Sequence, residues 1–226
     1  MTQDQDRDLI RALGEDLQPV KPIPRLRKAL VAVIATWVAV VLASWAWAGF
    51  RPDGLTALYS SGSVVFVVAA LAVVGGAGLV ASLAAAVPGR ERLAWGALLT
   101  GLLSAAAAAG FGTFLVVAVP GHEPGAPVAA HFSCLTRACG VGLVPALVVA
   151  IFAARAAPYR PLVIVLGAAA GAAALGAVAA QATCPFGDPV HLMLGHILAP
   201  VAGALVLTLP LLVAMRRLPR PGGAGG

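Results

Sequence analysis

The chain has 226 residues, 60% of them hydrophobic and only 11% charged, with a formal net charge of +6 and a mean hydropathy of +0.95. A soluble domain carries about 25% charged residues, and no water-soluble fold of this size hides so much apolar surface, so lipid must be the solvent for most of the chain. The positive charge does not mark a nucleic-acid binder: the basic residues are dispersed among loops, and aromatic residues for base stacking make up only 6%.

Residues 4–17 come first in chain order and predict a short helix. Leu9, Ile10, Leu13 and Leu17 share one face at i, i+1, i+4 and i+8. Asp4, Asp6 and Asp8 crowd its start, where the helix dipole favours negative charge, and Gln18 before Pro19 ends it. A lone helix of about 14 residues is marginal in water, so the apolar stripe needs a surface. An anionic bilayer would repel its five acids, and the protein's own short loops offer little area. A groove on a cytoplasmic partner is the sharper reading.

A spanning helix takes about 20 mostly apolar residues, and six stretches qualify: 29–49, 60–87, 93–119, 138–154, 161–183 and 189–215. The expected fold is therefore all-α, a six-helix membrane bundle, divided into a partner-binding segment 1–28, a transmembrane domain 29–215 and a disordered tail 216–226. The breaks are Arg51-Pro52-Asp53-Gly54, Pro88-Gly89-Arg90-Glu91-Arg92, the loop opened by Pro120-Gly121-His122, Arg155 to Arg160 around Pro158, and Cys184 to Pro189. Asp188 reads as an N-cap with Pro189 at the first helical position. Ala46-Trp47-Ala48 looks like a cleavage site, but the apolar stretch before it is long for a signal peptide and follows 28 residues with five acids. Trp45 and Trp47 read as interfacial anchors.

With six spans, thirteen of the 15 Lys and Arg fall on one side, leaving Arg51 and Arg137 on the other. The positive-inside rule then puts both termini in the cytoplasm of a bacterial inner membrane. Gly167-x-x-x-Gly171, and Gly75, Gly76 and Gly78, suit close helix approach within the bundle, and Pro145, Pro200 and Pro210 fall inside spans. No Asp, Glu, Lys or Arg lies at depth, which argues against an ion-coupled transporter and against an enzyme.

Chemistry-bearing side chains gather instead at the non-cytoplasmic side. Cys134 and Cys139 stand at the entry to the fourth span, and Cys184 at the exit of the fifth. The short hairpin between those spans makes them neighbours, so Cys184 can approach one of the other two and form a disulfide in an oxidising compartment. His131, His191 and His196 add nitrogen ligands to the same side, a set that suits zinc or copper. His191 and His196 are five apart, about 140° round an α-helix, and so do not form a matched pair. His122 reads as a plain loop residue.

Asp8-Leu9-Ile10-Arg11-Ala12-Leu13-Gly14-Glu15-Asp16-Leu17-Gln18-Pro19-Val20 resembles the N-terminal signature of the NrsF family of six-span membrane anti-sigma factors. The resemblance resumes at Cys134-Leu135 and runs through Pro145, Arg155, Pro158, Pro161, the Gly/Ala-rich fifth span and Cys184-Pro185. It implies that Leu9, Ile10, Leu13, Asp16, Leu17, Pro19 and Val20 hold an extracytoplasmic-function (ECF) sigma factor at the membrane. It also implies that Cys134 and Cys184 govern release under oxidative or heavy-metal stress, with no direct contact to nucleic acid. Cys139 is additional to that pattern, and His191 and His196 replace residues that are more often aromatic. The rival readings are a redox or metal-binding membrane protein built on the Cys/His cluster, a small transporter, and a scaffold subunit.

Overall fold

The computed structural model describes residues 25–51, 61–118, 125–156 and 160–218, together with the isolated positions 7, 8, 11, 14 and 56. Six helices among them are long and apolar enough to cross a membrane: α1 (Leu26–Ala48), α2 (Gly62–Ala85), α3 (Glu91–Ala118), α4 (Val128–Ala156), α5 (Pro161–Gln181) and α6 (Pro189–Arg217). Among the described residues the fold is all-helical, that of a multi-pass membrane protein, as its hydropathy predicts. A helix is the form that satisfies every backbone N–H and C=O inside one segment, as a lipid solvent requires.

Local chemistry sets several helix ends. Pro161 occupies the first turn of α5, where its missing N–H costs nothing. Gly49 closes α1 at φ +73°, with its N–H on the Trp45 carbonyl. The Glu91 carboxylate accepts the Gly89 N–H at 3.0 Å and pins the turn into α3.

The helices alternate in direction, so α1, α3 and α5 end where α2, α4 and α6 begin. Arg25, Arg90, Arg92, Arg155, Arg160, Arg216 and Arg217 are thus at one end of the bundle, and Arg51, Arg137 and the three cysteines towards the other.

The Ala/Gly-rich α5 is the central helix, enclosed by α2, α4 and α6. The two glycine groups of the sequence meet each other: a Cβ on Gly78 would lie 3.0 Å from both the Gly167 carbonyl oxygen and the Gly171 Cα. Such contact lets dispersion hold α2 against α5. Leu79, Leu83, Val149, Val165 and Leu211 fill the core towards the arginine end, and Val67, Leu71, Ala138, Ala174 and Ile197 towards the cysteine end. Outer helix α3 joins α2 through Ser104 Oγ, which donates to the Ala70 carbonyl at 3.0 Å. Trp45 of α1 is not merely an interfacial anchor: its Nε1–H donates to the Ala179 carbonyl of α5 at 3.1 Å, whereas Trp47 is exposed.

Two elements differ from the sequence expectation. Helix α4 begins at Val128, ten residues before the expected start. Its polar early residues are internally satisfied: Thr136 Oγ1 donates to the Phe132 carbonyl at 2.7 Å, and Arg137 donates to Thr183 Oγ1 at 2.6 Å. At about 1.5 Å per residue, 29 residues span about 44 Å, longer than a hydrocarbon core of about 30 Å, so one end of α4 projects beyond it. Helix α6 is likewise irregular: an opening turn, Pro189–His191, is followed by a π-helical segment, Leu192–Ile197, and then by the α-helix Ala199–Arg217.

Of the predicted N-terminal helix, Arg7, Asp8, Arg11 and Gly14 are described, helical and exposed. Leu9, Ile10, Leu13, Asp16, Leu17, Pro19 and Val20 lie outside the described residues, as do His122 and the last eight residues of the tail.

Candidate functional site

The cysteine end of the bundle brings together side chains from α4, the α5–α6 connection and the first turns of α6. Cys134 sits in the second turn of α4 and faces inward. Cys184 follows α5 directly, its N–H on the Gln181 carbonyl at 3.4 Å. The two sulfurs lie 3.4 Å apart and both side chains are buried. Cys139, half-buried further along α4, does not join them.

Asp188 starts α6 as the sequence predicts. Its Oδ1 accepts the His191 N–H at 2.9 Å, and Pro189 occupies the first turn. This cap sets His191 over the cysteines, with Nε2 3.0 Å from Cys184 Sγ. The other ring nitrogen, Nδ1, lies 2.9 Å from His131 Nδ1 of α4. The ring of Phe186 stands against the same imidazole, centroid to centroid 5.4 Å.

His196 was expected to point away from His191. The π-helical turn corrects that expectation. Wider hydrogen bonding, seen in the Leu198 N–H to Met193 carbonyl bond of 3.1 Å, makes residues five apart neighbours along one face. The two rings then meet edge to face at 5.3 Å. Pro200 supplies a cause, because it has no N–H to return to the His196 carbonyl and its ring crowds that oxygen. A proline four residues after a histidine was the one sequence signal for this distortion.

His196 is 1% exposed, and its Nδ1 lies 3.2 Å from the Ala177 carbonyl oxygen. A carbonyl only accepts, so Nδ1 carries the proton and Nε2 the lone pair. That Nε2 is buried and has no hydrogen-bond partner among the described residues. One donor atom from each of Cys134, Cys184, His191 and His196 lies within 4.8 Å of every other. His131 stands behind this group rather than in it. Gly195 makes room for the arrangement, since a Cβ there would come 3.1 Å from His191 Nε2 and 3.5 Å from the Cys134 Cβ.

The electrostatics favour a reactive sulfur. Cys184 lies between spans, and the hydrogen bond from Cys134 holds its thiol below the usual range. Burial opposes this shift, and His191 acts in the same direction as Cys134. Two sulfurs in contact can form a disulfide, or can share a thiophilic cation with the imidazoles.

The sequence model of one protein family, described as NrsF, negative regulator of sigma F, matches residues 13–218. Comparison with curated proteins and with solved structures returns no match.

Proposed function

The chain belongs to the NrsF family, the negative regulators of sigma F, and from that premise we propose that it is an inner-membrane anti-sigma factor. It holds an ECF sigma factor through its N-terminal segment and releases it when Cys134 and Cys184 are oxidised. The observation that carries the sensing part is the 3.4 Å approach of the two buried sulfurs. They lie at the end of the bundle opposite the clustered arginines, which the positive-inside rule assigns to the cytoplasm.

The chemistry balances with a two-electron oxidant such as hydrogen peroxide. The two thiols lose two protons and two electrons and form one S–S bond, while the peroxide is reduced to two waters. A disulfide needs sulfurs about 2.0 Å apart, so the step closes the 3.4 Å gap between the two sulfurs and ties the start of α4 covalently to the α5–α6 connection. α4 and α5 pack along their length down to the arginine end, through Gly142 against Ala172 and Val149 beside Val165 in one core. Packed helices of this kind shift as bodies, and that shift is the route to the cytoplasmic segment.

The test is retention of the sigma factor in membranes carrying the full chain or a chain lacking residues 2–20. Retention by the full chain and its loss on truncation supports the reading. Equal retention by both overturns it.

A further inference from the structure

We propose that Cys134, Cys184, His191 and His196 form a four-coordinate site for one Zn²⁺ ion. The inference deepens the same site: the zinc chemistry stands on the geometry, and only its regulatory consequence rests on the reading above.

The first argument is the donor set. Two thiolates and two imidazoles in a closed group are a structural zinc set. Zn–S bonds of about 2.3 Å and Zn–N bonds of about 2.0–2.1 Å make the edges of such a tetrahedron about 3.3–3.8 Å. The sulfurs are 3.4 Å apart, Cys184 Sγ to His191 Nε2 is 3.0 Å, and no pair of donors exceeds 4.8 Å. Side-chain shifts of about an ångström close the remaining gaps.

The second argument is the state of the imidazoles. The His196 Nδ1–H donates to the Ala177 carbonyl and leaves a buried Nε2 lone pair with no hydrogen-bond partner among the described residues. A buried acceptor left unmet is costly, and a cation is a partner that meets it. His191 presents Nε2 to the sulfurs while its Nδ1 reaches His131 Nδ1. A metal-ligating histidine characteristically donates its far N–H to a second partner, which fixes the ring. With His131 as acceptor, His191 is held in that manner.

The third argument is charge. All four residues are buried, and a buried net charge is expensive. Zn²⁺ with two thiolates and two neutral imidazoles sums to zero, whereas a monovalent ion leaves one uncompensated negative charge. Binding releases the two thiol protons to solvent. It ties α4 to the head of α6 and occupies both sulfurs, so the metal and the disulfide are exclusive states of one pair.

The experiment uses the full chain, purified reduced in detergent, stripped with chelator and titrated with Zn²⁺, and with Co²⁺ as a coloured substitute. One zinc per chain is expected, with cobalt spectra showing tetrahedral d–d bands and thiolate charge transfer. Cys184→Ser and His196→Gln are expected to weaken zinc by more than about 100-fold, and His131→Phe, behind the ligands, by about 10–100-fold. Cys139→Ser is expected to bind as the natural chain does. Circular dichroism and size exclusion confirm that each variant is folded. Absence of stoichiometric zinc, unaltered affinity in His196→Gln, or loss of zinc in Cys139→Ser overturns the proposal. Sigma-factor retention is scored in parallel. Retention without zinc sinks the metal site alone, and zinc without retention sinks the regulatory reading alone.

Discussion

Gly176 of α5 lies directly against the carbonyl of Ala138 of α4, one helical turn along from Cys134. No side chain fits between them, and a methyl at position 176 would meet backbone that cannot swing away. This contact sets how near the two helices come where the sulfurs face each other. Gly176→Ala must therefore push α4 and α5 apart, at about 1–3 kcal/mol for an overpacked contact. Gly140→Ala on the same stretch of α4 meets nothing within 4 Å and serves as the control. Unfolding in detergent should show a lowered midpoint for Gly176→Ala alone. Equal midpoints for both would mean that α4 and α5 do not meet there.

Gly195 makes a finer prediction. A Cβ at this position would press on the His191 ring at 3.1 Å, so the imidazole would give by a few tenths of an ångström. Gly195→Ala should slow peroxide-driven pairing of Cys134 with Cys184 several-fold with helicity unchanged, followed by alkylation of the remaining thiols. Gly187→Ala, whose Cβ would make an ordinary 3.8 Å contact with Val64, should pair at the natural rate. A natural rate in Gly195→Ala would remove His191 from the chemistry of the pair.

These positions also show where the sequence was readable. The six spans follow from apolar length, and their alternation from the spacing of thirteen basic residues, because lipid imposes both constraints on any chain. Asp188 could be read as a cap because capping is local. The start of α4 could not be read, since Ser133, Thr136 and Arg137 look like a loop until Thr183 appears as a distant partner for Arg137. The pairing of His191 with His196 was hidden for a related reason: helical spacing assumes an α-helix, and Pro200 acts on the wider turn before it. Leu9, Ile10, Leu13 and Leu17 were read from periodicity alone.

The two sulfurs and the third cysteine should separate cleanly in function. Cys134→Ser and Cys184→Ser each remove one end of the only sulfur pair in contact among the described residues. Either variant should abolish peroxide-dependent release of the sigma factor, and Cys139→Ser should leave it intact. The readout is a reporter gene driven by the sigma factor, before and after peroxide. A response that survives in Cys184→Ser and disappears in Cys139→Ser would reassign the sensor.

The N-terminal helix offers two faces to compare. Arg7, Arg11 and Gly14 are helical and exposed, while helical spacing in the sequence assigns Leu9, Ile10, Leu13 and Leu17 to a different face. If the stripe docks in a groove on the sigma factor, a charge in its middle leaves a desolvated carboxylate facing apolar surface. Leu13→Asp should then cost about 2 kcal/mol or more of binding, the range of an interface hot spot, equivalent to about 30-fold in affinity. Arg11→Ala, on the exposed face, should cost a few-fold at most. Titration of the purified sigma factor against the full chain in nanodiscs reads both values. Comparable losses from the two variants would mean that the contact is electrostatic and spread around the helix, which the apolar-groove reading does not allow.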